Sequence, residues 1–94
     1  MSWKPERDLA SALRRFPEKA DRVLRLAERD EAFRDMCEEL AAAEAALETL
    51  TGDGSATGAA RREECEGWIV RLLGEMSDAV REEEVIRLSD RRRR

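Results

Sequence analysis

The sequence predicts an all-α protein: an antiparallel two-helix hairpin of coiled-coil character, preceded by a short N-terminal helix. Three observations predict it. Charged residues make up 43% of the 94 residues and aromatic residues only 4%, the profile of long solvated helices rather than of a sheet. Two long segments, 17–50 and 59–88, repeat apolar residues at helical spacing. Between them, Thr51-Gly52-Asp53-Gly54-Ser55-Ala56-Thr57-Gly58 holds three glycines and no large apolar residue, so 51–58 reads as a loop.

The first helix is expected over 5–15. Pro5, Glu6 and Asp8 suit a helix N-terminus, where proline fits the first turn and acids face the positive end of the dipole. Leu9, Ala12, Leu13 and Phe16 then follow at i, i+3, i+4 and i+7. Pro17 ends this helix, because the residue before a proline is pushed out of the helical region.

Pro17 opens the second helix, expected to run unbroken over 17–50. Measured from Leu40, Leu26, Phe33 and Leu47 fall at about 40°, 20° and −20°. A drift of about 20° per seven residues is what a heptad repeat leaves on a straight helix, and it implies left-handed supercoiling. Met36, Cys37 and Ala43 lie beside this stripe. Glu18/Arg22, Asp21/Arg25 and Asp30/Arg34 are acid-before-base pairs at i, i+4 that would support the exposed face. Gly52 suits a left-handed C-terminal cap, and Ser55 or Thr57 can cap the third helix.

That third helix, 59–88, carries Cys65, Trp68, Ile69, Leu72, Met76, Ala79, Val80 and Ile86 on one stripe, which Leu73 widens to about 140°. A stripe this wide implies a neighbour beyond the second helix, either the first helix or another copy of the chain. Trp68, Leu73 and Val80 are the apolar residues expected to meet such a partner. Ala20, Leu24 and Ala27 form a smaller patch on the second helix, with Leu9, Leu13 and Phe16 as its expected cover. A short polar connection makes the two long helices antiparallel. With the turn near Ser55, residues whose numbers add to about 110 lie level. Cys37 and Cys65 are offset by about 12 Å along the axis, too far for a disulfide.

The run Phe16-Pro17-Glu18, followed by Val23, Leu26, Asp30, Phe33, Met36, Leu40, Ala43 and Leu47, resembles the pattern of the YdcH-like family of small bacterial proteins. In that family Phe-Pro-Glu precedes an apolar heptad series interrupted by an Asn or Asp. The resemblance implies a helical hairpin and no assigned activity.

Composition narrows the chemistry. Without histidine, the chain lacks the usual general base for a Ser or Cys nucleophile and the Glu-x-x-His motif of carboxylate di-iron bundles. Two separated cysteines do not make a zinc site. Gly52-Asp53-Gly54 lacks the preceding strand and the Lys-Ser/Thr pair of a phosphate-binding loop. The expectation is therefore a non-enzymatic protein with no cofactor and no metal. No stretch reaches the length of a membrane span and no apolar signal segment opens the chain, so a cytoplasmic location is expected.

Net charge is −4, yet the terminal Arg91, Arg92, Arg93 and Arg94 leave residues 1–90 at −8. This run is expected to be a solvated tail, and its four arginines are candidate partner contacts. The function expected is a helical protein-protein interaction module that self-associates and docks a protein of unknown identity. The alternative is a small nucleic-acid-associated protein using the arginine tail, although the acidic body and the lack of interleaved aromatic residues argue against nucleic acid.

Overall fold

The computed structural model describes residues 5–52 and 54–92, with side chains described for 6–52 and 54–89. These residues form four α-helices: α1 Pro5–Arg15, α2 Ala20–Arg29, α3 Glu31–Leu50 and α4 Ala56–Arg92, with a 3₁₀ turn at Pro17–Lys19 before α2. No strand occurs among them. The molecule measures 59 × 24 × 21 Å, and its long dimension matches α4, whose 37 residues span about 55 Å at 1.5 Å each.

The expected unbroken helix over 17–50 is two helices. Asp30 adopts an extended conformation (φ −119°, ψ 105°) between them. Its carboxylate accepts from the backbone N–H groups of Ala32 at 3.0 Å and Phe33 at 3.3 Å, satisfying donors that the first turn of a helix leaves without partners. Arg34 does not pair with Asp30 as a helix-surface neighbour. Its guanidinium donates to the carbonyls of Ala27 at 2.8 Å and Glu28 at 3.4 Å, so one side chain of α3 satisfies the last turn of α2. Pro17 begins a tight 3₁₀ turn instead of the α-helix itself.

The bend after α3 also differs from expectation. Among the described residues no glycine has positive φ, so Gly52 is not a left-handed cap. The helix instead closes on Thr51 in a right-handed conformation, its hydroxyl donating to the carbonyls of Leu47 at 3.1 Å and Glu48 at 2.5 Å. Ser55 caps α4, accepting from the N–H of Gly58 at 3.0 Å. With that cap α4 starts at Ala56 and continues to Arg92, past the expected limits of 59 and 88.

The helices α3 and α4 pack together, and α1 lies against α3 and α2. One apolar core joins all four: Ala12 from α1, Val23, Leu26 and Ala27 from α2, Phe33, Cys37, Leu40 and Ala43 from α3, and Cys65, Ile69, Leu72, Met76 and Val80 from α4. Burying side chains such as Phe33, Leu40, Met76 and Val80 contributes roughly 1.5–3 kcal/mol each. Contacts between α4 and residues 19–50 pair residues whose numbers add to between 103 and 112: Cys65 with Ala43, Arg62 with Leu50, Glu83 with Arg25 and Arg29, and Glu84 with Lys19 and Arg22. These sums spread around and mostly below the expected level of about 110. The thiol of Cys65 donates to the carbonyl of Ala43 at 3.1 Å, and Cys37 and Cys65 are both free and buried. Leu9, Leu13 and Phe16 of the α1 region pack on the core, and Ala27 is covered while Leu24 stays 42% exposed.

Candidate interaction surface

The helix α4 presents its stripe unevenly. Cys65, Ile69, Leu72, Met76 and Val80 point into the core. Trp68 and Ile86, assigned by spacing to the same stripe, are 38% and 43% exposed. They lie on one flank of α4, 18 residues and five full turns apart, or about 27 Å, with Ala79 almost in line between them. The helix α1 does not reach this flank. It lies along α3 beside Ala41 and Glu44, where Arg15 meets Glu44 at 2.8 Å. Ala46 and Leu50, which border the Trp68 end of the flank, lie about 120–160° around α3 from Glu44 and Glu48.

Each end of the flank is a shallow groove. At the bend end Trp68 and Cys65 sit with Ala46, Leu50, Arg61, Glu64 and Arg71. Five turns away, Ile86 and Ala79 sit with Leu26, Arg29, Asp30, Glu82 and Glu83. The two grooves lean to opposite charge: two arginines and one glutamate border the first, while at the second Arg29 is ion-paired with the buried Glu83 and the acids Asp30 and Glu82 remain.

Sequence reasoning placed Trp68, Leu73 and Val80 together as partner contacts, and the structure separates them. Val80 is a core residue, 1% exposed. The reason is geometric: Trp68 and Val80 lie about 120° apart on α4, Trp68 at one edge of the wide stripe and Val80 toward the other, and only the Val80 side is covered. Leu73 is half-buried and packs on the core from the opposite edge. Only Trp68 of the three is open. Of the arginine run, Arg91 and Arg92 continue the backbone of α4; their side chains, and Arg93 and Arg94 entirely, lie outside the described residues.

A cluster of charges next to the second groove escaped the sequence reading. Glu83 is only 2% exposed, and its carboxylate is ion-paired with Arg29 and lies 3.6 Å from Arg25. Glu84 beside it meets both Lys19 and Arg22 at 3.2 Å. Arg22 and Arg25 thus reach across to α4 rather than along their own helix to Glu18 and Asp21. Period gave the signal in part, since Glu83 falls on the same angular band as Cys65, Leu72 and Met76. An acid in a core stripe implies a cation opposite.

No family model, no curated protein and no solved structure matches the chain. The candidate site therefore rests on its side chains alone. Among the described residues no group of three or more Cys, Asp or Glu gathers as metal ligands, and no helix is long and apolar enough to cross a membrane. Burial, then the carboxylates of Asp8 and Glu38, pushes the Cys37 thiol from the ordinary 9.0 up to about 12. Near neutral pH it stays a thiol, and the thiolate is the nucleophilic form. Asp8 itself is 1% exposed and meets the Nε of Arg7 at 3.2 Å.

Proposed function

We propose that this chain is a non-enzymatic helical interaction module of the cytoplasm, built as an antiparallel hairpin arm and associating with a second copy of itself. The observation that carries the reading is the flank of α4 that α1 leaves open, where Trp68 and Ile86 are exposed beside the core. Val70 and Leu88 are exposed at the same 18-residue spacing on another side of α4, with Leu88 beside Arg22, Glu84 and Arg87, but they stand away from the core stripe. Two large apolar residues aligned at the same edge of a core stripe, each over a groove, are the kind of surface that proteins bury against each other. The likeness of residues 16–47 to YdcH-like hairpins supports the arm and adds no chemistry to it. Sedimentation equilibrium across the micromolar range is the test. A dimer that strengthens with concentration is expected, and a monomer at tens of micromolar would remove self-association.

A further inference from the structure

We infer that the second copy packs antiparallel along α4, related by a two-fold axis beside Ser77, so that Trp68 of each chain seats on the groove beside the partner's Ile86. This rests on the self-association reading and fixes its geometry. A two-fold interface must be complementary to itself under reversal, and the flank of α4 has that property. Its exposed anchors, Trp68 and Ile86, are equidistant from residue 77. The grooves beneath them lean to opposite charge. Reversing one copy therefore lays the arginine-rich end of each flank over the acid-rich end of the other, whereas a parallel arrangement would set like charge on like. Such complementarity selects orientation and register more than it supplies affinity.

One pair reads out the register. Arg71 and Glu82 are both exposed, and neither is ion-paired among the described residues. Their numbers add to 153 where Trp68 and Ile86 add to 154, so the axis that seats Trp68 also sets each Arg71 level with the partner's Glu82, on nearly the same angular position. This contact occurs twice per dimer. The test is a charge exchange at low salt, where surface pairs are least screened. Arg71→Glu alone and Glu82→Arg alone should each weaken the dimer by about fivefold or more, because each turns two attractive pairs into two repulsive ones.

Mixing the two variants should restore association, as a heterodimer, and the doubly exchanged chain Arg71→Glu/Glu82→Arg should dimerise like the native one. Circular dichroism of each variant checks that helix content is unchanged. If the native chain dimerises but neither mixing nor double exchange restores what the single variants lose, or if the single variants lose nothing, this geometry is overturned while self-association stands. If the native chain is monomeric, both fall together.

Discussion

The α4 helix meets two different surfaces along one seam. Beside the bend it lies on α3 through small and apolar side chains, with Cys65 against Ala43 and Phe33, Leu40, Leu72 and Met76 filling the space between. Beyond Asp30 it lies on α2, where Val23, Leu26 and Ala27 are the only buried residues, and the outer contact passes to Glu83 and Glu84 against Lys19, Arg22, Arg25 and Arg29. The apolar half depends on area removed from water and is indifferent to salt. The ionic half gains little net stability, because desolvating charge offsets much of the attraction, yet losing either partner would leave a buried charge unpaired. Most of the stability thus lies in one half and a buried ionic clamp in the other.

Removing the largest side chain of the apolar half should have the largest effect. Phe33→Ala leaves a cavity in the fully buried core and is expected to cost about 3–5 kcal/mol, read from urea unfolding; a loss under about 1 kcal/mol would contradict this division of roles. In the ionic half, Glu83→Gln keeps the shape and removes the charge that Arg25 and Arg29 share. The expected loss is about 1.5–3 kcal/mol, reduced toward the lower end because both arginines are partly exposed. A loss under about 0.5 kcal/mol, the range of an ordinary surface substitution, would mean that the shared charge holds nothing together.

Much of this arrangement was legible in the sequence, and the parts that were not have physical reasons. Apolar period located the core residues of α3 and α4, and the glycine-rich turn near Ser55 suggested the level at which they meet. It missed the break at Asp30 because one extended residue barely changes which side chains face inward: Leu26 and Phe33 are both buried, as an unbroken helix would also have them. Local chemistry held the missing signal, an Asp ahead of Glu31 in the arrangement of an N-cap. Trp68 and Val80 differ for another reason. Which part of a wide stripe is covered depends on the course of α1 over α3, and spacing within α4 carries no information about that.

The position of Cys37 ties folding to proton uptake. Its side chain is fully buried, and the folded chain holds the thiol proton up to about pH 12 against an ordinary 9.0. Above pH 9 an unfolded chain sheds that proton and the folded one keeps it, so the unfolded state binds fewer protons and stability must fall as pH rises from 9 toward 12. The contribution is whole below pH 9. Following thermal unfolding across alkaline pH, Cys37→Ala should show a shallower decline than the native chain, and parallel curves would mean that the buried thiol does not govern the alkaline limit.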